Sequence, residues 1–154
     1  MDAANYNQSL CAQILLEQGA DTSCKLESGR DALHIAALKG HREVVKVLLS
    51  NGAQIDSVDI NHKSTPLLLA AEMGNLQTVK TLVELGADMA ACTDGGSGAL
   101  FFAAYGGNDE TAEFLIREGA DVDARNDFGE TPLHALSKPA RSWQPKCFYV
   151  MVQM

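Results

Sequence analysis

The glycine of a Gly-Ala pair recurs at Gly19, Gly52, Gly86 and Gly119, in steps of 33, 34 and 33 residues. A leucine series, Leu33, Leu67, Leu100 and Leu133, repeats with steps of 34, 33 and 33. Two independent markers with one period restrict the chain to an array of like units, each too small to bury a core alone. The one extra residue falls between Gly52 and Leu67, near Asp59-Ile60, where a turn absorbs it.

Each unit reads as two short antiparallel helices and a turn. Thr65-Pro66 and Thr131-Pro132 open a first helix, because the Thr hydroxyl accepts a bond from an orphan N–H and Pro loses nothing at the first helical position. Small pairs follow at Ala36-Ala37, Ala70-Ala71 and Ala103-Ala104, and let neighbouring helices approach closely. Gly40, Gly74 and Gly107 then stop the helix in a left-handed cap. A second helix carries apolar positions such as Val44, Val45, Val47, Leu48 and Leu49, with Leu15-Leu16, Leu82-Val83 and Leu115-Ile116 in the same slots.

Thr-Pro-Leu-His at 131 to 134, Gly-His at 40 to 41, Val44 to Leu49, and Gly-Ala-Asp-Val-Asp-Ala at 119 to 124 resemble the ankyrin repeat over residues 3 to about 138. The resemblance implies an all-α solenoid of stacked helix-turn-helix units with projecting β-turn fingers. The array is expected over residues 1–137, in units of about 3–25, 27–59, 61–92, 94–125 and 126–137 onward. The first unit is expected to enter midway through its first helix at Ala3-Ala4, and about nine or ten short helices are expected in all. Residues 138–154 read as a degenerate cap or tail: Cys147, Phe148 and Tyr149 align with Val47, Leu48 and Leu49, while Pro139 and Pro145 interrupt the segment. The resemblance also makes His34 and His134 structural, their rings bonding backbone groups of neighbouring turns. Leu68 and Phe101 depart from that histidine, Gly98 departs from the threonine at the helix start, and Lys63 replaces the turn glycine seen at Gly29, Gly96 and Gly129. A left-handed backbone at Lys63 is strained by about 1 kcal/mol.

Charge narrows the partners. The 154 residues carry 20 acids and 12 Lys or Arg, a net charge of −8 that repels phosphate backbones and anionic membrane surfaces. Every acid lies at or before Glu130, and Lys138, Arg141 and Lys146 are the only formal charges beyond it, so the body is at −11 and the tail at +3. Neither nucleic acid nor membrane is an expected partner. The start Met1-Asp2-Ala3-Ala4 has no targeting pattern, and the four cysteines show no CxxC spacing, which predicts an intracellular protein with free thiols, cytoplasmic or nuclear. Histidines and cysteines never fall into metal-ligand spacing, and Gly95-Gly96-Ser97-Gly98 lacks both the Gly-Lys-Ser/Thr ending of a phosphate loop and the glycine of a nucleophile elbow. No catalytic residue, cofactor or metal is expected.

Specificity then rests on positions that vary between units: the finger tips and the outward side of the first helices. These are Arg30, His62, Ser64, Phe128 and Glu130 in the fingers, with Leu38, Lys39, Glu72, Met73 and Tyr105 after the alanine pairs. Leu38, Met73, Tyr105 and Phe128 are expected to line up as an apolar path with a polar border, as protein-binding surfaces show. The expected function is a monomeric, non-enzymatic module that binds a protein or peptide on its concave surface. The rival is a regulatory or substrate-docking segment of a larger enzyme or channel, which the start in mid-unit favours.

Overall fold

The computed structural model describes residues 2–137, with side chains from residue 8 onward. It is all-α, as the repeat pattern requires, with one isolated bridge between Cys92 and Gly98. Helix α1 (Asp2–Glu17) is followed by the pairs α2 (Ala32–Lys39) with α3 (Arg42–Ser50), α4 (Pro66–Glu72) with α5 (Leu76–Glu84), and α6 (Ala99–Tyr105) with α7 (Asp109–Arg117). The short α8 (Pro132–Ala135) opens the last unit. Helices α2, α4, α6 and α8 stack in one row, and α1, α3, α5 and α7 in a second row behind it.

Local chemistry sets where these helices start and stop. Thr65 Oγ1 accepts from the Leu68 N–H at 3.4 Å, and Asp31 Oδ1 accepts from the His34 N–H at 3.1 Å. Gly98 has no side chain to offer α6, so that start is uncapped. The stop glycines adopt the left-handed backbone expected of them, with φ of 73° at Gly40, 69° at Gly74 and 68° at Gly107. At Gly40 and Gly74 a side chain would also collide with the asparagine of the next unit: a Cβ on Gly40 would lie 2.7 Å from Asn75 Oδ1.

The core runs between units. Leu33, Leu67 and Leu100 are buried in the first-helix row, Val45, Leu48, Val79, Leu82 and Leu115 in the second, and Ala37, Ala70, Ala71 and Ala103 are fully buried between them. The equivalent Leu133 is 74% exposed, having no following unit over it among the described residues. The expected closing helix of the tail lies outside those residues.

Unit one departs from expectation. Two short helices were expected there, yet α1 is a single 16-residue helix. The position equivalent to Gly40, Gly74 and Gly107 is Asn7, so nothing forces a left-handed break and the two segments continue as one. This fusion is why the described residues contain eight helices where nine were expected; the tenth expected helix falls in the tail, outside them.

The fingers are joined by a backbone ladder: the N–H of Ile60 donates to Ser28 O at 3.1 Å, Asp94 to His62 O at 2.9 Å, and Asp127 to Gly95 O at 3.0 Å. Each finger closes on itself by a bond such as Leu26 N–H to Arg30 O, Thr93 to Ser97, or Asn126 to Glu130. In the second finger the bond runs from Asp59 to Ser64, one residue longer, and this is where the extra residue of the period resides. Asp59 Oδ1 holds the enlarged turn by accepting from His62 N–H and Ser64 N–H, both at 3.1 Å. Lys63 sits at φ 55°, the one described non-glycine residue with positive φ.

His34 ties units together as the resemblance implied: Nδ1 lies 2.8 Å from Asp31 Oδ1 and Nε2 3.1 Å from Ser64 O of the next unit. His134 Nδ1 is met by the Thr131 N–H at 3.2 Å. Burial pushes the Asp31 carboxyl up, but bonds from His34 and Ser57 outweigh it and hold it at about 2.

Two outcomes follow from this local chemistry. Lys63→Gly relieves the positive φ and is expected to stabilise the chain by about 1 kcal/mol in urea unfolding. Because the folded Asp31 carboxyl ionises below its unfolded counterpart, its contribution is full above pH 4 and is lost as pH falls toward 2. Asp31→Asn keeps a capping side chain, so it should cost on the order of 2 kcal/mol near pH 7 and little near pH 2, read from unfolding midpoints across pH.

Candidate protein-binding groove

Where the fingers meet the first-helix row, the third to fifth units enclose an open groove of about 490 Å³. Its floor is helix α6, whose Phe101, Phe102 and Tyr105 share one side through i,i+3 and i,i+4 spacing. Phe101 and Phe102 meet edge to face with centroids 6.0 Å apart. Phe102 also packs against the core, so the floor is anchored. Phe128, on the last finger, forms a wall and is 81% exposed.

The last finger is built from its own polar chemistry. Asn126 Oδ1 accepts from the N–H of Phe128 at 3.0 Å and of Glu130 at 2.9 Å, which fixes the turn that presents Phe128. Asn126 Nδ2 donates to Glu130 Oε2 at 3.1 Å and to Ser97 Oγ at 3.3 Å, linking this finger to the one before. At Gly95 a Cβ would lie 3.7 Å from the Phe128 ring, so the aromatic leans over the neighbouring finger tip.

Six of the ten candidate positions meet in this groove: His62, Ser64, Glu72, Tyr105, Phe128 and Glu130. The other four do not line it. Arg30, expected at a finger tip, is buried with its Nε 3.2 Å from Asp59 Oδ2 of the next finger, an ion pair sealed inside the stack. Leu38 is buried between units, because α4 covers the side of α2 that was expected to face outward. Lys39 and Met73 are exposed but lie away from the groove, so the expected continuous path from Leu38 to Phe128 is cut down to its Tyr105–Phe128 end. Ser64 reaches the groove although it is buried, its carbonyl engaged by His34.

Phe101, Phe102, Thr93 and Asn126 were not among the candidates. Phe101 carried a readable mark, since it replaces the histidine of the repeat and so does not make the bond that ties His34 into the next finger. Phe102 carried none, because an aromatic residue in a core-facing helix reads as packing.

Glu72 at the end of α4 is half-buried. Burial raises its carboxyl above the usual carboxylate range, against the opposing pull of Arg30 and His62. A folded state that holds this proton more tightly than the unfolded chain is stabilised below the unfolded pKa and loses that stability as pH rises through the raised value. Glu72→Gln is therefore expected to raise the unfolding midpoint at pH 7 relative to the parent, with the difference closing near pH 4, as read by thermal melts at several pH values.

Comparison with known proteins agrees with this architecture. A family model described as ankyrin repeats (3 copies) matches residues 1–93, and a second, ankyrin repeats (many copies), matches residues 100–138. The chain is 38% identical over 102 residues to the B-cell lymphoma 3 protein homolog of Mus musculus, covering 64% of this chain and 23% of that protein. It is 41% identical over 70 residues to the transient receptor potential cation channel subfamily A member 1 homolog of Caenorhabditis elegans, covering 46% of this chain and 6% of that protein. To the neurogenic locus notch homolog protein 2 of Homo sapiens it is 34% identical over 98 residues, covering 64% of this chain and 4% of that protein. The chain thus spans less than a quarter of the length of each of these relatives.

Proposed function

Because the chain belongs to the ankyrin-repeat family, whose repeats are generally protein-protein interaction modules, we propose that it is a non-enzymatic module that holds a peptide or a folded partner in the groove between its fingers and α6. The observation that carries this reading is Phe128. A finger built by four Asn126 hydrogen bonds presents a phenyl ring 81% exposed beside the Phe101, Phe102 and Tyr105 floor. An isolated exposed aromatic is unremarkable, but one carried on a pinned backbone turn at the mouth of an aromatic groove is the geometry of a binding anchor, since the finger itself is already ordered.

The role is that of a scaffold or adaptor acting as a monomer. Cys11, Cys24 and Cys92 are free and exposed, which supports the reducing environment of a cytoplasmic or nuclear protein. Among the described residues, no helix is long and apolar enough to cross a membrane. A second reading has its own support: each of the relatives named above is more than four times the length of the region matched. In that reading the same groove is a regulatory or docking segment of a larger enzyme or channel, and a longer transcript carrying a catalytic or membrane-spanning domain distinguishes it.

Peptides selected on the immobilised chain from a random display library provide the test. The double variant Tyr105→Ala, Phe128→Ala is expected to weaken the selected peptides by about 2 kcal/mol or more while leaving helicity near that of the parent. Peptides that bind both forms equally would place the interaction elsewhere.

A further inference from the structure

The groove is apolar below and acidic above. Its aromatic floor and the Phe128 wall are bordered by the carboxylates of Glu72, Asp94 and Glu130, and none of the described residues lining it is Lys or Arg. Arg30, whose charge acts on Glu72, is shared with the next finger: its guanidinium lies 3.2 Å from Asp59 Oδ2, and both side chains are buried. Burial of Glu72 outweighs the pull of Arg30, which also faces Asp59, and of His62, which lines the groove beside it. Glu130 is held in place by its bond from Asn126, and Asp94 by the backbone ladder.

A carboxylate that is partly desolvated and only partly compensated gains most from a cation brought to it by a ligand. Aromatic faces favour the same guest, because the ring quadrupole attracts a positive charge while the ring edges and alkyl stem pack. A neutral apolar segment would cover the aromatics but would bury Glu72 further with no countercharge. An acidic segment would be repelled by three carboxylates and by the net charge of −8.

Resting on the interaction-module reading above, we propose that the occupant is a basic peptide segment whose arginine or lysine side chain lies against Phe128, Phe101 and Tyr105 with its cation among Glu72, Asp94 and Glu130. The planar guanidinium suits both halves of the site, since it stacks on a ring while donating in its plane to carboxylates.

The test uses the full chain, labelled with nitrogen-15, and two probes: acetyl-Gly-Arg-Gly-amide and the same tripeptide with citrulline, which keeps the shape of arginine without its charge. The arginine probe is expected to give saturable shifts at the amides of Gly95, Phe101 and Phe128, and the citrulline probe to bind about tenfold more weakly or worse. Added salt should weaken the arginine probe. Phe128→Ala removes an exposed ring and Glu72→Gln removes the half-buried charge, and each is expected to weaken the arginine probe about threefold or more with helicity retained. Equal binding of both probes, or no saturable shift in the groove at millimolar arginine probe, overturns the proposal. Sequencing the library-selected peptides separates this failure from that of the broader reading. Peptides that depend on Phe128 but lack enriched Lys or Arg leave the interaction module standing and reject a basic occupant, whereas peptides indifferent to Phe128 reject both.

Discussion

Helices of seven to nine residues, such as α2 to α7, have too few internal bonds to persist alone in water, so their stability comes from contact with the unit on either side. That contact depends on small residues. Ala37, Ala70, Ala71 and Ala103 have no exposed surface, and their single methyl groups let the first helices close on one another and bury Leu33, Leu67 and Leu100. Removing one such leucine side chain would cost about 2–5 kcal/mol, a large share of the stability of a domain this size. The consequence is cooperative: an ordered unit is a template for the next, and the array behaves as coupled neighbours.

Polar groups set the register of that stack. Asn75 Nδ2 donates to the carbonyls of Ala37 and Leu38 at 3.0 Å, and Asn108 Nδ2 to those of Ala71 and Glu72 at 2.9 and 2.8 Å. In each case the asparagine reaches the last carbonyls of the preceding unit's first helix, sharing Ala37 O and Ala71 O with the stop-glycine N–H groups and adding a donor at Leu38 O and Glu72 O. His41 occupies the same place one unit earlier, but α1 runs through without such an end, and His41 makes no side-chain cap bond. Between the fingers, His34 and the backbone ladder do the corresponding work. Stacking and register together leave the fingers and first helices converging on one side, and the groove is the space they enclose. Features there depart from what the stack needs: Gly98 leaves α6 uncapped, Phe101 gives up a histidine bond, and Glu72 keeps a charge where burial disfavours it. Such local costs concentrate where a surface serves binding more than folding.

The period, the helix stops and the left-handed Lys63 were legible in the residues, because each follows from one unit compared with its repeats, whereas the ties made by His34 were implied by the resemblance to the ankyrin repeat. In unit one the two-helix pattern fails, because Asn7 stands where the other units have the stop glycine. At the candidate site, variation between units does not by itself mean exposure. Arg30 and Leu38 vary between units yet are buried, because their surroundings are supplied by the following unit: Asp59 for the guanidinium, α4 for the leucine.

By itself the sequence determined the unit, its number of residues, its helix boundaries at threonine, proline and glycine, and the acidic character of the body, since these arise from backbone sterics, capping and composition. Which side chains face a partner was decided only in the folded stack. Exposure of a residue in a repeat array is a property of the gap between units, and the gap has dimensions only after the helices have closed on their alanines. Phe101, Phe102 and Tyr105 come from α6 and Phe128 from the finger of the next unit, more than 20 residues further along the chain, and only the stacking of the two units brings them around one groove.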